Sequence, residues 1–297
     1  LNATQSQLSA TENAVSTGKK VANASDSPAA FGIASQMNGN ISGQGAVNDG
    51  LSFASSVVSS TNSAANQILS VLAEVQAAVT TIGNNQGSST SLAQINTEIN
   101  GYLKQIDTIA QNATTNGVNL LVAASTKSLG ITAASLTYVT GLQGSTAKID
   151  NLFLAASVTG ATKKNTLSEI LGLAATDDGK GLASTNSFLN GGKFATGYTS
   201  TSSFNLTKAI TAVQAAITAM TNVTSTLGQN TKNIANMTTF GQTVSDNLTA
   251  GVGSLTDADM SAESAKLTSL QTKQSLAIKS LSIANGQSQN ILSLFQS

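Results

Sequence analysis

From Leu206 to Leu255 the chain repeats every seven residues. Steps of seven land on Leu206, Val213, Met220, Leu227, Ile234, Gly241, Leu248 and Leu255, and seven of these eight are apolar. A second row, four residues on, gives Ile210, Ile217, Thr224, Thr231, Thr238, Ser245 and Val252. An apolar period of 3.5 keeps one seam of a helix against a partner and winds the pair into a left-handed coiled coil. No proline interrupts the stretch. A continuous helix here would be roughly 75 Å long, far beyond the usual globular helix. The small polar residues midway along it predict a bend, or a change of partner, between Thr224 and Thr238.

The same period recurs before it. Leu1, Leu8 and Val15 predict a short helix ending near Gly18. Residues 18–30 are polar and hold Pro28, the only proline in the chain. Asp26 or Ser27 could act as an N-cap with Pro28 in the first turn; the simpler reading, a plain helix break, is the one adopted. Leu51, Val58, Ala65, Leu72 and Val79 form one row of a second long helix, and Val47, Ala54, Thr61, Ile68, Val75 and Ile82 form the other. It ends in the loop 83–90. A third helix carries Leu92, Ile99 and Ile106 beside Ile95, Tyr102 and Ile109, with Ser91 and Gln94 as a capping box. The pair Asn116-Gly117 is a turn signal that stops it.

From about Val122 the heptads vanish and glycine and β-branched residues cluster. Residues 131–139, 149–158 and 198–204 read as strands. Thr166 and Glu169 mark a short helix over Leu167 to Leu171. After Leu255 a last helix carries Leu267, Leu270, Ala277, Leu281 and Ala284, and the apolar tail Ile291 to Phe295 has nothing after it to cover it. The expected fold is mainly α, with long heptad-repeat helices forming an elongated coiled-coil bundle from both chain ends. Residues 1–121 are its N-terminal helical part, 122–205 a smaller β-rich or mixed insert, and 206–297 its C-terminal helical part.

Composition narrows the function. The 297 residues contain no cysteine and no histidine, so disulfides, thiolate metal sites and histidine acid–base chemistry are excluded. Every cation is a lysine, the net charge is zero, and charged residues are 9% against about 25% in ordinary soluble proteins. Ser, Thr, Asn and Gln occupy the flanking positions where a solitary coiled coil carries charge. Such a surface suits lateral packing against copies of itself and lacks the basic face that nucleic acid requires. No apolar run reaches the 18 or so residues of a membrane span, and no charged-then-apolar leader opens the sequence.

No catalytic, cofactor-binding or metal-ligating set emerges. Asp177-Asp178-Gly179-Lys180-Gly181 reads as a turn, Asp257 and Asp259 as a helix start, and Lys163-Lys164 as a solvated pair. Asn112-Ala113-Thr114 is one of several glycosylation-type triplets expected by chance in so Asn-, Ser- and Thr-rich a chain. Met220 and Tyr102 belong to seams. Tyr138, Phe153, Phe188, Phe194 and Tyr198 could offer faces to a sugar, but the preferred reading makes them the insert's own small core. The alternative function is therefore a cell-surface protein that binds a polysaccharide or host glycan. An enzyme carried in the insert is the weakest of the three classes.

Four segments carry a resemblance. TGKKVANASDSPAAFGIA, from Thr17 to Ala34, is similar to the bacterial flagellin motif SGLRINSAKDDAAGLAIA. Asn116 to Leu121 resembles the end of FNGVKVL, Thr256 to Glu263 resembles EDADYATE, and Ala284 to Leu294 resembles AQANQVPQNVLSLL. They fall in family order and spacing in both helical parts; the resemblance does not cover the insert. The resemblance implies an extracellular subunit exported through the flagellar channel, polymerising with its helices inside and its insert outside. It also implies an export apparatus, a chaperone, and cap and hook-junction proteins as partners. Leu1 corresponds to a point inside the family's first helix, which implies a preceding segment that pairs with the C-terminal tail and poor polymerisation without it. The family motif read by an animal innate immune receptor aligns with Leu72 to Thr81, where its two arginines fall on Glu74 and Gln76. Neither can reproduce arginine's planar donor array, so recognition is not expected. Lys20 also replaces a family arginine.

Overall fold

The computed structural model describes residues 1–122, 130–153, 166–201 and 203–295. It is 69% helical, with long terminal helices and a small strand-containing middle. Packing divides the chain into two units, Leu1–Gly45 with Gln242–Ser297, and Ala46–Gly241.

In the first unit α1 (Asn2–Thr17) packs against α6 (Met260–Phe295). Gly18 ends α1 in the left-handed conformation, φ 68°, which glycine adopts without strain. The following loop is closed by Asp26, whose carboxylate accepts from the N–H groups of Ala22 (2.9 Å) and Asn23 (3.2 Å). The plain helix break is corrected here. Ser27 is an N-cap, its hydroxyl accepting weakly from Ala30 N–H at 3.4 Å, and α2 (Pro28–Asn84) begins with proline at its first position. The helix thus starts well ahead of Val47. Gly32, Gly39 and Gly45 had thinned the apolar repeat over that stretch. The two junctions of this unit are bonded to each other: Lys20 and Val21 donate to Thr256 O, Ala258 donates to Gly18 O, and Lys20 Nζ donates to Ser254 O at 3.1 Å. Asp259 starts α6, its carboxylate accepting from Ser261 and Ala262 N–H.

The second unit holds the main core. Both predicted rows of α2 are buried throughout, from Val47 to Ile82. A third row, Val57, Ala64, Val71 and Ala78, is buried beside them. Three buried positions in seven exceed a two-helix seam and mark a helix enclosed on more than one side. α5 (Leu206–Thr256) is unbroken, as the repeat predicted. Its second buried row differs from the expected one. Ala209, Ala216 and Val223 are buried, three residues after each main-row position rather than four, while Ile210, Ile217 and Thr224 lie half-buried on the flank. Small alanines allow a closer approach than the isoleucines would. Thr224, Thr231 and Thr238 donate their hydroxyls to carbonyls of their own helix at 2.8 Å, so a polar seam position leaves no unmet donor.

α3 (Ser89–Asn112) is capped by Ser88, whose hydroxyl accepts from Ser91 N–H at 3.2 Å. The expected box at Ser91 and Gln94 is therefore misplaced by one turn. α3 buries Leu92, Ile95, Ile99, Leu103, Ile106 and Ala110, while Tyr102 and Ile109 are only partly covered. It ends at Asn112. Asn116 (φ 48°) and Gly117 (φ 81°) then form a tight turn closed by paired bonds between Thr115 and Val118.

The middle consists of two-stranded antiparallel hairpins. β1 (Leu136–Val139) pairs with β2 (Thr146–Ile149), and β3 (Ala174–Asp177) with β4 (Ala183–Asn186). β5 (Leu189–Asn190) pairs with β6 (Lys193–Phe194), and β7 (Thr199–Ser200) with β8 (Ser203–Phe204). The predicted strand 131–139 shortens to its second half, because Thr132 and Ala133 bond the Asn116-Gly117 turn instead of a strand. Of 149–158 only Ile149 is strand, Asn151 to Phe153 is not, and 154–158 lies outside the described residues. The segment 198–204 is a hairpin of two short strands. α4 (Leu167–Ile170) is capped by Thr166 as expected, the hydroxyl accepting from Glu169 N–H at 3.2 Å. Insert residues Leu136, Tyr138, Ile149, Phe153, Leu167, Leu173, Phe188 and Phe204 belong to one cluster with the helices.

Leu227 is fully buried and Phe240, on the same helix, is 68% exposed. Leu227→Ala is expected to cost about 2–5 kcal/mol in chemical denaturation, and Phe240→Ala close to nothing. In the first unit Thr11 is buried with its hydroxyl unpartnered. Thr11→Val removes that desolvated donor at nearly constant shape and is expected to raise stability by about 1 kcal/mol in the same measurement.

Candidate functional site

The carboxylates singled out in the sequence are occupied by local structure. Asp178 Oδ1 accepts from the N–H groups of Lys180 (2.8 Å) and Leu182 (3.1 Å), and Asp177 Oδ1 accepts from Gly179 N–H (2.7 Å). These bonds make the β3–β4 turn and hold the Asp178 carboxyl below its usual range. Gly179 and Gly181 supply its positive φ angles. Asp259 caps α6, and Asp257 lies in the junction with Lys19. Lys163-Lys164 falls outside the described residues. Among the described residues no three acidic side chains gather as a metal site would require, and no helix is long and apolar enough to cross a membrane. A groove of about 220 Å³ between α2 and α3 is lined by Ser60, Ser63, Gln67, Ile109 and Asn112, with no charged group.

The aromatic residues face one another. Phe188 and Tyr198 lie 4.9 Å apart between ring centroids, Phe194 and Phe204 5.3 Å, and Tyr198 and Phe204 6.3 Å. Lys208 Nζ sits 5.2 Å over the Tyr198 ring and donates to Gly197 O at 2.7 Å. Tyr138 and Phe153 are buried. Glu74 is exposed on α2, beside Val75 of the core. Thr114 of the Asn112 triplet donates its hydroxyl to Gln111 O and accepts from Asn119 Nδ2.

Sequence periodicity missed a polar ridge that seats the insert on α3. Asn96, Asn100, Asp107 and Gln111 recur along that helix at spacings of four, seven and four, which returns them to one face. Asn186 Nδ2 donates to Asn100 Oδ1 (2.7 Å) and Asn96 Oδ1 (2.8 Å), while its own Oδ1 accepts from Phe188 and Leu189 N–H. Gln111 Nε2 donates to Gly181 O at 2.6 Å. Asp107, 1% exposed, accepts from Ser168 N–H (2.8 Å), Ser168 Oγ (2.6 Å) and Ala183 N–H (2.8 Å). Burial pushes its carboxyl up to about 6, although the bonds from Ser168 and Ala183 pull it down; Asp178 adds a small upward push. Asn119 performs a related task at the end of α3. It donates to Ala110 O (2.7 Å) and accepts from Leu121 and Val122 N–H, closing the helix terminus. The only sequence signal for the ridge was the spacing of its amides, indistinguishable there from a solvated face.

On α6 the half-buried or buried positions Glu263, Leu267, Leu270, Gln274 and Ala277 alternate by four and three, the spacing of a seam against α1. The same spacing continues through Leu281, Ala284, Ser288, Ile291 and Phe295, all exposed. Leu276, Ile278, Ile283, Leu292 and Leu294 are exposed there too.

Long helices from both ends of one chain, a strand-bearing middle and an apolar helical stripe describe a structural, self-associating protein. The bacterial flagellin N-terminal helical region matches residues 1–126, and the flagellin C-terminal helical region matches 210–295. The chain is 30% identical to Flagellin FljO of Caulobacter vibrioides over 296 residues, covering all of this chain and 93% of that one. It is 30% identical to Flagellin C of Rhizobium meliloti over 311 residues, 95% of that protein, and 29% identical to the flagellin of Brucella melitensis over 297 residues, 94% of it. The chain belongs to the bacterial flagellin family and is a structural subunit of the flagellar filament.

The ridge can be tested separately from the core. Asp107→Ala strips an acceptor from two buried N–H groups and a hydroxyl, at an expected cost of about 2–4 kcal/mol. Hydrogen exchange should quicken over residues 167–190 more than over the buried rows of α2.

Proposed function

We propose that this subunit polymerises with residues 1–121 and 206–297 as its filament-forming helical parts and 122–205 as the outward-facing insert. The observation that carries the reading is the α6 stripe. It continues the spacing of a seam already occupied by α1, yet its side chains from Leu281 to Phe295 lie in water. Burying each such side chain is worth roughly 1.5–3 kcal/mol, so an occupant is strongly favoured. Copies of the same chain are the partner, and the location is extracellular, on the flagellum. The export apparatus, its chaperone, and cap and hook-junction proteins are the further partners this role requires.

The helix surfaces support lateral burial. Thr80, Thr97, Thr108, Thr211, Thr226 and Thr249 each donate to a carbonyl four residues back. A hydroxyl already bonded to its own helix loses little when a neighbouring copy excludes water from it.

The test is seeded growth in a precipitating salt, viewed by electron microscopy, using this chain with a flagellin-like segment joined ahead of Leu1. Filaments are expected from that chain and not from its Leu281→Lys, Ile291→Lys variant. Both should melt at the same temperature, because the altered side chains are exposed. Filaments from both would overturn the role of the stripe, and filaments from neither would overturn the reading as a whole.

A further inference from the structure

Phe240 is 68% exposed, the only exposed large apolar side chain among the described residues of α5. Its neighbours one turn away, Asn236, Met237, Thr243 and Val244, carry no charge. A lone exposed ring needs no explanation by itself. The groove between α2 and α3 supplies its counterpart. The floor of that groove is Ala64, Ala113 and the half-buried Ile109, and its rim carries the exposed Ser63, Gln67 and Asn112. Its volume of about 220 Å³ exceeds the roughly 150 Å³ that admits a benzene ring to a protein interior. An apolar floor inside a polar rim is the form of an anchor pocket at an interface.

Phe240 cannot fill the groove of its own subunit. α5 runs antiparallel to α2: a Cβ on Gly83 would fall 2.7 Å from Leu206 Cδ2, and Phe204, two residues earlier, donates its N–H to Gln86 Oε1. Phe240 lies 34 residues beyond Leu206. At equal rise per residue it comes level with about residue 49 of α2, and the middle of the groove, between Ser60 and Gln67, stands roughly 22 Å away along the axis. No side chain spans that distance.

We infer that Phe240 of one copy docks in the α2–α3 groove of the next. A second copy is the occupant because ring and groove are both uncharged, so docking buries no ion, and because every copy carries one of each. A filament subunit is surrounded by such copies. The contact is heterologous, since the ring stands on α5 and the groove lies between two other helices. For copies that share one orientation, seating the ring staggers neighbours by roughly 22 Å along the helix axis. A staggered heterologous contact does not close on itself, and its repetition gives an open helical row. The inference rests on the self-assembly proposed above and adds to it a contact separate from the α6 stripe.

The experiment puts the photoreactive analogue p-benzoylphenylalanine in place of Phe240 in the full chain, with the flagellin-like segment ahead of Leu1, and mixes it with isotope-labelled copies. Crosslinks are mapped by mass spectrometry in the filaments and in the unassembled fraction. They are expected between position 240 of one copy and residues 60–67 or 109–113 of another. Absence of these crosslinks from both fractions overturns the contact, whether or not filaments grow. Failure of the unsubstituted chain to grow at all counts against the proposed function instead. Ser63→Phe fills the groove from its exposed rim. It should raise the protein concentration needed for growth by about tenfold and leave the melting temperature unchanged. Growth at an unchanged concentration overturns the contact too.

Discussion

Along α2 three rows of side chains leave water together: Leu51 to Val79, Val47 to Ile82, and Val57 to Ala78. The rest of the second unit is arranged around that burial. α5 presents Val213, Met220, Leu227 and Ile234 to the same cluster, and α3 adds Leu92, Ile99 and Ile106. Small residues recur in the rows, including Ala54, Ala64, Ala65 and Ala78 on α2 and Ala209 and Ala216 on α5. They let backbones approach closely, so dense packing is reached with few aromatics. The insert completes the cluster with Leu136, Leu167 and Phe188. It therefore rests on the helices rather than on a core of its own.

Two different interactions hold the two kinds of structure. Helix to helix, the contact is apolar and periodic, and its energy is spread over many positions. Insert to α3, much of the specification is polar and sits at a few atoms: Asn186 on Asn96 and Asn100, Asp107 under Ser168 and Ala183, Gln111 on Gly181. The hairpins are two-stranded, a size that is marginal in water alone. Directional bonds to a rigid helix give them register that their own short ladders cannot. Close approach does the same at Gly192, where a Cβ would fall 2.5 Å from Ser89 O.

This contrast also explains what could be read from the sequence. A seven-residue repeat survives in the residue types themselves, so α3 and α5 were legible nearly end to end, and α2 from Val47 onward. The choice between Ala209 and Ile210 as the second row of α5 was not, because hydrophobicity favours isoleucine and only the partner's proximity favours alanine. The first turns of α2 were hidden by glycines, and Ser88 was passed over for Ser91 because capping signals are common in so serine-rich a chain. Thr166 was found since its partner lies three residues away. Asp107 was not, since its partners lie 61 and 76 residues away and nothing local marks it.

Low charge ties the fold to the filament. A monomer gains solubility from charge, yet this chain spends only 9% of its residues on it, balanced to zero. An ion pair buried between copies would have to recover its desolvation cost through near-ideal geometry. A threonine bonded to its own helix and an alanine carry no such cost, and neither demands one fixed register of its neighbour. Surfaces of that kind suit binding to copies through shape and burial, and on the reading proposed above the apolar stripe of α6 contributes to it. Several of the charged residues serve local ends: Asp26 closes a loop, Asp178 builds a turn and Asp259 starts a helix. Charge is sparse on the long helices as well, where single residues such as Glu74 and Lys232 interrupt faces made mostly of Ser, Thr, Asn, Gln and Ala, so most of that surface can be covered without burying an ion.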